Sequence, residues 1–185
     1  TAAESERGRN AAATRPQGPP WRIVFSGRLE KPKGADVAVD TVLELRQRGV
    51  DVSIDLIGDG PLRPWVENRC TQDPSGSIRL HGWLRRDELE GFLAQGHVMM
   101  LPTTASEGFP KGLAEAMAFG CIPVTSTVSS IGQVLTATGG SVVVPPGGSW
   151  VDAVQAALTV DGERLRAEAI AGVDRFSFAT YLERV

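Results

Sequence analysis

From Trp21 onward the chain alternates short apolar runs with stretches of helical periodicity, and that alternation limits the fold more than any single residue. The runs Arg22–Ser26, Val52–Ile57, Ile78–His81, Val98–Leu101, Ile122–Thr125 and Ser141–Val144 read as strands. Between them, Ala35–Gly49 carries apolar residues at Val37, Val39, Val42, Leu43 and Leu45 and closes on a glycine, a common helix stop. Helical patterns also cover Pro61–Cys70, Asp87–Ala94, Pro110–Phe119 (stopped at Gly120) and a short stretch near Ile131–Leu135. Two terminal helices follow, Trp150–Leu158 and Glu163–Val173. Strands separated by helices of this length are joined by right-handed crossovers, which build a parallel sheet. The runs read as apolar throughout, as expected for a sheet covered on both faces.

The predicted class is therefore α/β: a Rossmann-like parallel sheet of about six strands sandwiched by helices. The 185 residues suit one domain after an extension. Residues 1–20, rich in Ala, Arg, Gly and Pro, read as a mobile linker, and residues 21–185 as the folded unit. A linker at the start, and a helical pattern that breaks off within residues 176–185, suggest a piece of something larger. A net charge of −3 gives no reason to expect a nucleic-acid partner. Cys70 and Cys121 form neither a disulfide framework nor a zinc pattern, which favours the reducing cytoplasm. No apolar run approaches the roughly 20 residues of a membrane span.

In such sheets ligands bind at the carboxyl ends of the strands, so the loops that follow strands carry the candidates. The loop Gly27–Gly34 holds Arg28 and Lys33 in a glycine-flanked turn. Arginine grips phosphate through its fork and lysine as a point charge, although two solvated surface cations would read the same way. Gly58-Asp59-Gly60-Pro61 starts like a dinucleotide fingerprint but lacks the third glycine, so a tight turn is the simpler reading. The richest loop is Ser106-Glu107-Gly108-Phe109-Pro110-Lys111-Gly112-Leu113-Ala114-Glu115. Pro110 suits a first helical turn, and the N–H groups that follow would form an anion site. Gly108 and Gly112 allow close approach. Glu107 is also what the helix dipole alone would favour. Glu115, in an otherwise apolar helix, calls for a specific partner.

Glu107 to Glu115 resembles the Glu-x7-Glu signature of retaining glycosyltransferases of family 4, which have the GT-B fold. Leu101-Pro102-Thr103 before it and Ala116-Met117-Ala118-Phe119-Gly120-Cys121-Ile122-Pro123-Val124 after it agree. So do Gly27-Arg28-Leu29 with Lys33-Gly34, Ile57 to Pro61, His81-Gly82-Trp83-Leu84, and Val143 to Gly147. Two positions depart: His97 stands where the family often has Asp, and Gly132-Gln133 where it often has Pro-Glu.

The resemblance implies half of a GT-B enzyme, a domain that binds a nucleotide-diphosphate-sugar of UDP or GDP type. Arg28 and Lys33 would neutralise the leaving diphosphate. Glu107 would hold donor-sugar hydroxyls, with the N–H groups of Gly108, Phe109 and Lys111 and the segment at Pro110 against the same sugar. Gly112 and Leu113 would meet the phosphate, Glu115 the ribose hydroxyls, and the backbone at Leu84 the base. Transfer would be retaining and metal-independent, and the only histidines, His81 and His97, form no ligand cluster. The acceptor would sit in an N-terminal domain that residues 1–20 cannot supply, and the isolated domain would transfer nothing. That missing domain could also bring peripheral contact with the inner face of a membrane. A nucleotide-sugar epimerase of the same architecture and a non-catalytic nucleotide-binding or scaffold module are the rival readings.

Overall fold

A computed structural model describes residues 2–106, 111–159 and 162–173. Six strands, β1 (Trp21–Ser26), β2 (Val52–Ile57), β3 (Ile78–Gly82), β4 (Val98–Leu101), β5 (Ile122–Ser126) and β6 (Val142–Val144), form one sheet. Every pairing is parallel and the order is β3-β2-β1-β4-β5-β6. The chain thus winds outward from β1 to one edge and then restarts at β4 beside β1. This reversal opens a crevice between β1 and β4, at the carboxyl ends of the strands.

Helices α2 (Ala35–Gln47), α3 (Arg63–Gln72) and α7 (Trp150–Leu158) cover one face. They pack on Ile23, Phe25, Ile54, Leu56 and Val98. The other face, with Val24, Ile57, Met99 and Leu101, receives α4 (Arg86–Gln95), α5 (Lys111–Ala118), α6 (Ser129–Thr138) and α8 (Gly162–Val173). Alternate residues of β1 and β4 therefore enter different cores, as the two-residue strand period requires.

Two expectations are corrected. Ala2–Thr14, expected to be a linker, is a helix (α1) packed on α4 and α5. Its anchor is Arg15, 5% exposed, whose guanidinium donates to the carbonyls of Leu93, Ala94, Gly120 and Phe119. These carbonyls end α4 and α5, where the helix dipole attracts a cation. The helical part of the pattern expected within residues 176–185 lies outside the described residues.

Nor are the strands apolar throughout. On the second face, Asp55 of β2 is buried and accepts from Arg79 at 2.8 and 3.1 Å; its Oδ1 lies 2.8 Å from His81 Nε2. Burial pushes the Asp55 carboxyl up, but the bonds from Arg79 and His81 outweigh it and hold it below the usual range. The His81 ring also meets that of Phe92 at a tilt, with centroids 4.4 Å apart, which ties this corner to α4. Its role here is structural.

Candidate functional site

The loop after β1 is fixed from beneath. Leu29 is fully buried, and its N–H donates to Asp59 O at 2.9 Å while its carbonyl accepts from Leu62 N at 2.8 Å. Pinning Leu29 inward leaves its neighbours outside. Arg28 has a side chain 63% exposed, held by Glu30 at 3.0 Å. A single 3-10 turn, Lys31–Lys33, follows, and Lys33 is half-buried. Gly34 then closes the turn at φ 75°. A Cβ there would come within 2.3 Å of Pro102 O, so only glycine lets this loop meet the one after β4.

The Gly58–Gly60 turn is structural, as its incomplete fingerprint suggests. Gly58 lies at φ 135°, and a Cβ would sit 2.0 Å from Gly27 O. Asp59 accepts from Gly60 N at 2.7 Å and pairs with Arg63 at 3.0 Å. The turn supports the first loop.

Across the crevice, the segment after β4 is tied to the first loop through one atom. The carbonyl of Pro32 accepts from Thr103 Oγ1 at 3.0 Å, Thr104 N at 2.8 Å and Ala105 N at 3.2 Å. Thr103 is fully buried, and its own carbonyl accepts from Ser126 Oγ at 2.6 Å. The loops after β1 and β4 and the last residue of β5 are thus knitted together at the switch point. The expected contributors Glu107, Gly108, Phe109 and Pro110 lie outside the described residues.

Helix α5 starts at Lys111, with Gly112 half-buried and Leu113, Ala116 and Met117 packed into the second core. Glu115 projects between these apolar positions, its side chain 22% exposed. The partner that its setting demanded is Arg86, with Nη2 3.2 Å from Oε1, joined by Lys111 Nζ at 3.7 Å. Arg86 opens α4, separated only by Arg85 from Gly82-Trp83-Leu84. Leu84 leans on the second core, whereas Trp83 is 75% exposed. The pairing of Arg86 with Glu115 was invisible in the sequence, because no motif links two residues on different helices.

His97, at the opposite end of the sheet, is a packing histidine. It accepts from Arg22 N at 3.0 Å through Nδ1, approaches Pro16 O at 2.9 Å through Nε2, and meets Trp21 edge-on. Burial pushes it down to about 4. A cavity of about 340 Å³ lies beside it, lined by Arg15, Pro16, Arg22 and Gln95 among others, on the amino side of the sheet and away from the crevice. Among the described residues no three His, Cys, Asp or Glu side chains converge as a metal site, and no helix is long and apolar enough to cross a membrane.

A six-stranded doubly wound sheet, with glycine-shaped loops meeting at its switch point, is the architecture of one domain of a GT-B glycosyltransferase. The chain belongs to the family of glycosyl transferases group 1, whose model matches residues 20–160. It is 32% identical over 120 residues to the GDP-mannose-dependent alpha-(1-6)-phosphatidylinositol dimannoside mannosyltransferase of Mycobacterium tuberculosis, covering 64% of this chain and 30% of that protein. It is also 30% identical over 122 residues to the amylovoran biosynthesis glycosyltransferase AmsK of Erwinia amylovora, covering 63% and 30%. The chain thus spans less than a third of these relatives. In fold it is similar to Anabaena HepE in complex with UDP-glucose, with a TM-score of 0.73 at 16% identity over 100% of this chain and 51% of the other. The C-terminal domain of the group 1 protein LpcC from Francisella tularensis gives 0.69 at 18%, covering 92% and 89%.

Proposed function

We propose that this chain is the donor-binding domain of a retaining glycosyltransferase, which takes a UDP- or GDP-sugar and presents it to an acceptor held by an N-terminal domain of the full-length protein. The observation that carries the reading is the junction at Pro32, which holds the loop of Arg28 and Lys33 against the segment leading to α5. In this reading the cations of the first loop and the helix N–H groups of the second face one diphosphate.

The chemistry asks for such a set. Transfer breaks the bond from the anomeric carbon to the phosphate oxygen, and the electron pair stays on the diphosphate. Fixed cations and N–H donors stabilise that charge without reorganising, and the proposed leaving-group stabilisers are Arg28, Lys33 and the backbone of Gly112 and Leu113, with no metal. Glu107 and the N–H groups of Gly108, Phe109 and Lys111 hold the sugar, with the chain at Pro110 completing that wall. Glu115 accepts from the ribose hydroxyls, and the backbone at Leu84 frames the base. The acceptor oxygen bonds to the anomeric carbon on the face the diphosphate leaves, and its proton passes to the diphosphate. Glu107 is thus a positioning carboxylate, and the two-carboxylate scheme of glycoside hydrolases does not apply. The full-length enzyme works in the cytoplasm, with any contact to the inner membrane face made by its other domain.

Calorimetry against UDP, GDP and ADP tests the reading on this chain. One of the first two should bind, and Lys33→Ala with Glu115→Ala should abolish the signal. Binding unchanged in that double variant overturns the residue assignment, and no binding of any nucleotide would favour a scaffold role.

A further inference from the structure

Glu115 belongs to a charged network that joins three helices, α5, α4 and α1. Arg86 Nη2 stands 3.2 Å from its Oε1, and Lys111 Nζ, one turn earlier on α5, stands 3.7 Å from the same oxygen. Arg86 Nε also lies 3.8 Å from Glu90 Oε1, one turn along α4, and Glu90 Oε2 lies 3.2 Å from Arg7 of α1. The two cations differ in constraint. The Lys111 side chain is 78% exposed on a flexible stem, whereas that of Arg86 is 50% exposed, planar, and flanked by two carboxylates. A lone carboxylate on a helix can take several rotamers, and one held by a guanidinium keeps its direction.

We propose that Arg86 is a positioning residue of the donor site: it orients the Glu115 carboxylate through Oε1, so that the second oxygen accepts from the ribose diol. The proposal rests on the reading of Glu115 as the ribose acceptor. Arg86 is the first residue of α4 and follows the loop assigned to the base. Orientation of the ribose carboxylate is therefore set from the base side of the site. Arg86 gains its effect through Glu115 and touches no reacting atom.

The test compares the tighter-binding of UDP and GDP with its 2′-deoxy counterpart, by calorimetry on the wild-type chain and on Arg86→Gln, Arg86→Lys and Glu115→Gln. Wild type should prefer the ribonucleotide about tenfold, the scale of one charge-assisted hydrogen bond. Arg86→Gln should lose most of that preference and hold the deoxynucleotide within about twofold, while Arg86→Lys restores part of it. A general structural defect would weaken both ligands alike and would overturn the proposal, as would a full ribose preference in Arg86→Gln. If Glu115→Gln itself keeps the preference, or wild type binds neither ligand, the ribose assignment of Glu115 fails and the proposal falls with it. Loss of preference in Glu115→Gln with none in Arg86→Gln sinks the proposal alone.

Discussion

The two ends of the sheet use charge in opposite ways. At the amino end, Arg15, His97 and Cys121 are buried and fully engaged with backbone. Burial drives Cys121 up to about 11 and His97 down to about 4. At the carboxyl end, Arg28, Lys111 and Arg86 stand half or more in solvent, held by carboxylates. Strong shifts in acidity often flag a functional site, yet these two, at Cys121 and His97 among the described residues, lie at the end away from the proposed site. The proposed chemistry explains the inversion. A diphosphate leaving group needs permanent cations and N–H donors, and such groups need no tuning near neutral pH.

Four experiments test this contrast. The largest effect should come from Arg28→Ala with Lys33→Ala, which should weaken binding of the nucleoside diphosphate by ~100-fold or more, since each charge-assisted bond contributes ~1.5–3 kcal/mol. Calorimetry would show it, while the melting temperature should stay nearly constant.

Arg15→Met should do the reverse. It strands four carbonyls at the ends of α4 and α5. A loss of ~3 kcal/mol is expected, seen as a melting point lower by ~6–12 °C in a domain of this size. Nucleotide affinity should be untouched, and a large change in it would end the division of labour.

His97 predicts a pH effect of smaller size. Its folded value lies below the 6.5 of the free side chain, so the unfolded chain takes up the proton first. Stability should fall as pH drops from 6.5 through about 4, by up to about 3 kcal/mol. Urea titrations of His97→Gln should show a shallower slope across that window, and an equal slope would mean other groups govern it.

The smallest effect belongs to Glu30, which pairs with Arg28 and, in the proposed reading, would compete with a phosphate for it. Glu30→Gln should tighten nucleotide binding by a factor of ~2–4, as an exposed pair contributes less than ~1 kcal/mol. Weaker binding in this variant would show that Glu30 holds Arg28 in its working position.

Legibility followed the same division. The strand–helix alternation disclosed the class and the crossovers closely, because apolar periodicity records burial. Trp150–Leu158 coincides with α7, for example. The α1 helix escaped notice because its anchor, Arg15, bonds to carbonyls, which leave no mark in a side-chain pattern. Asp55 was hidden for another reason: a carboxylate among Val, Ile and Leu reads as noise until its partners, Arg79 and His81, arrive from the next strand. For the proposed site, motif and setting single out Arg28, Lys33 and Glu115 in the sequence. They do not single out Arg86, since 29 positions separate it from Glu115 and only the folded sheet brings α4 beside α5.

The carbonyl of Pro32 bears on how such a chain can change over time. Every residue type supplies a carbonyl, and two of the four groups that reach this one are main-chain N–H groups, from Thr104 and Ala105, the others being the hydroxyls of Thr103 and Thr104. That half of the junction is therefore indifferent to which side chains surround it. Substitutions can accumulate across both loops while the crevice keeps its shape, so long as a glycine remains at 34. That freedom is consistent with a shared fold persisting at 16–18% identity, and it leaves selection to act on the few side chains that would face a ligand.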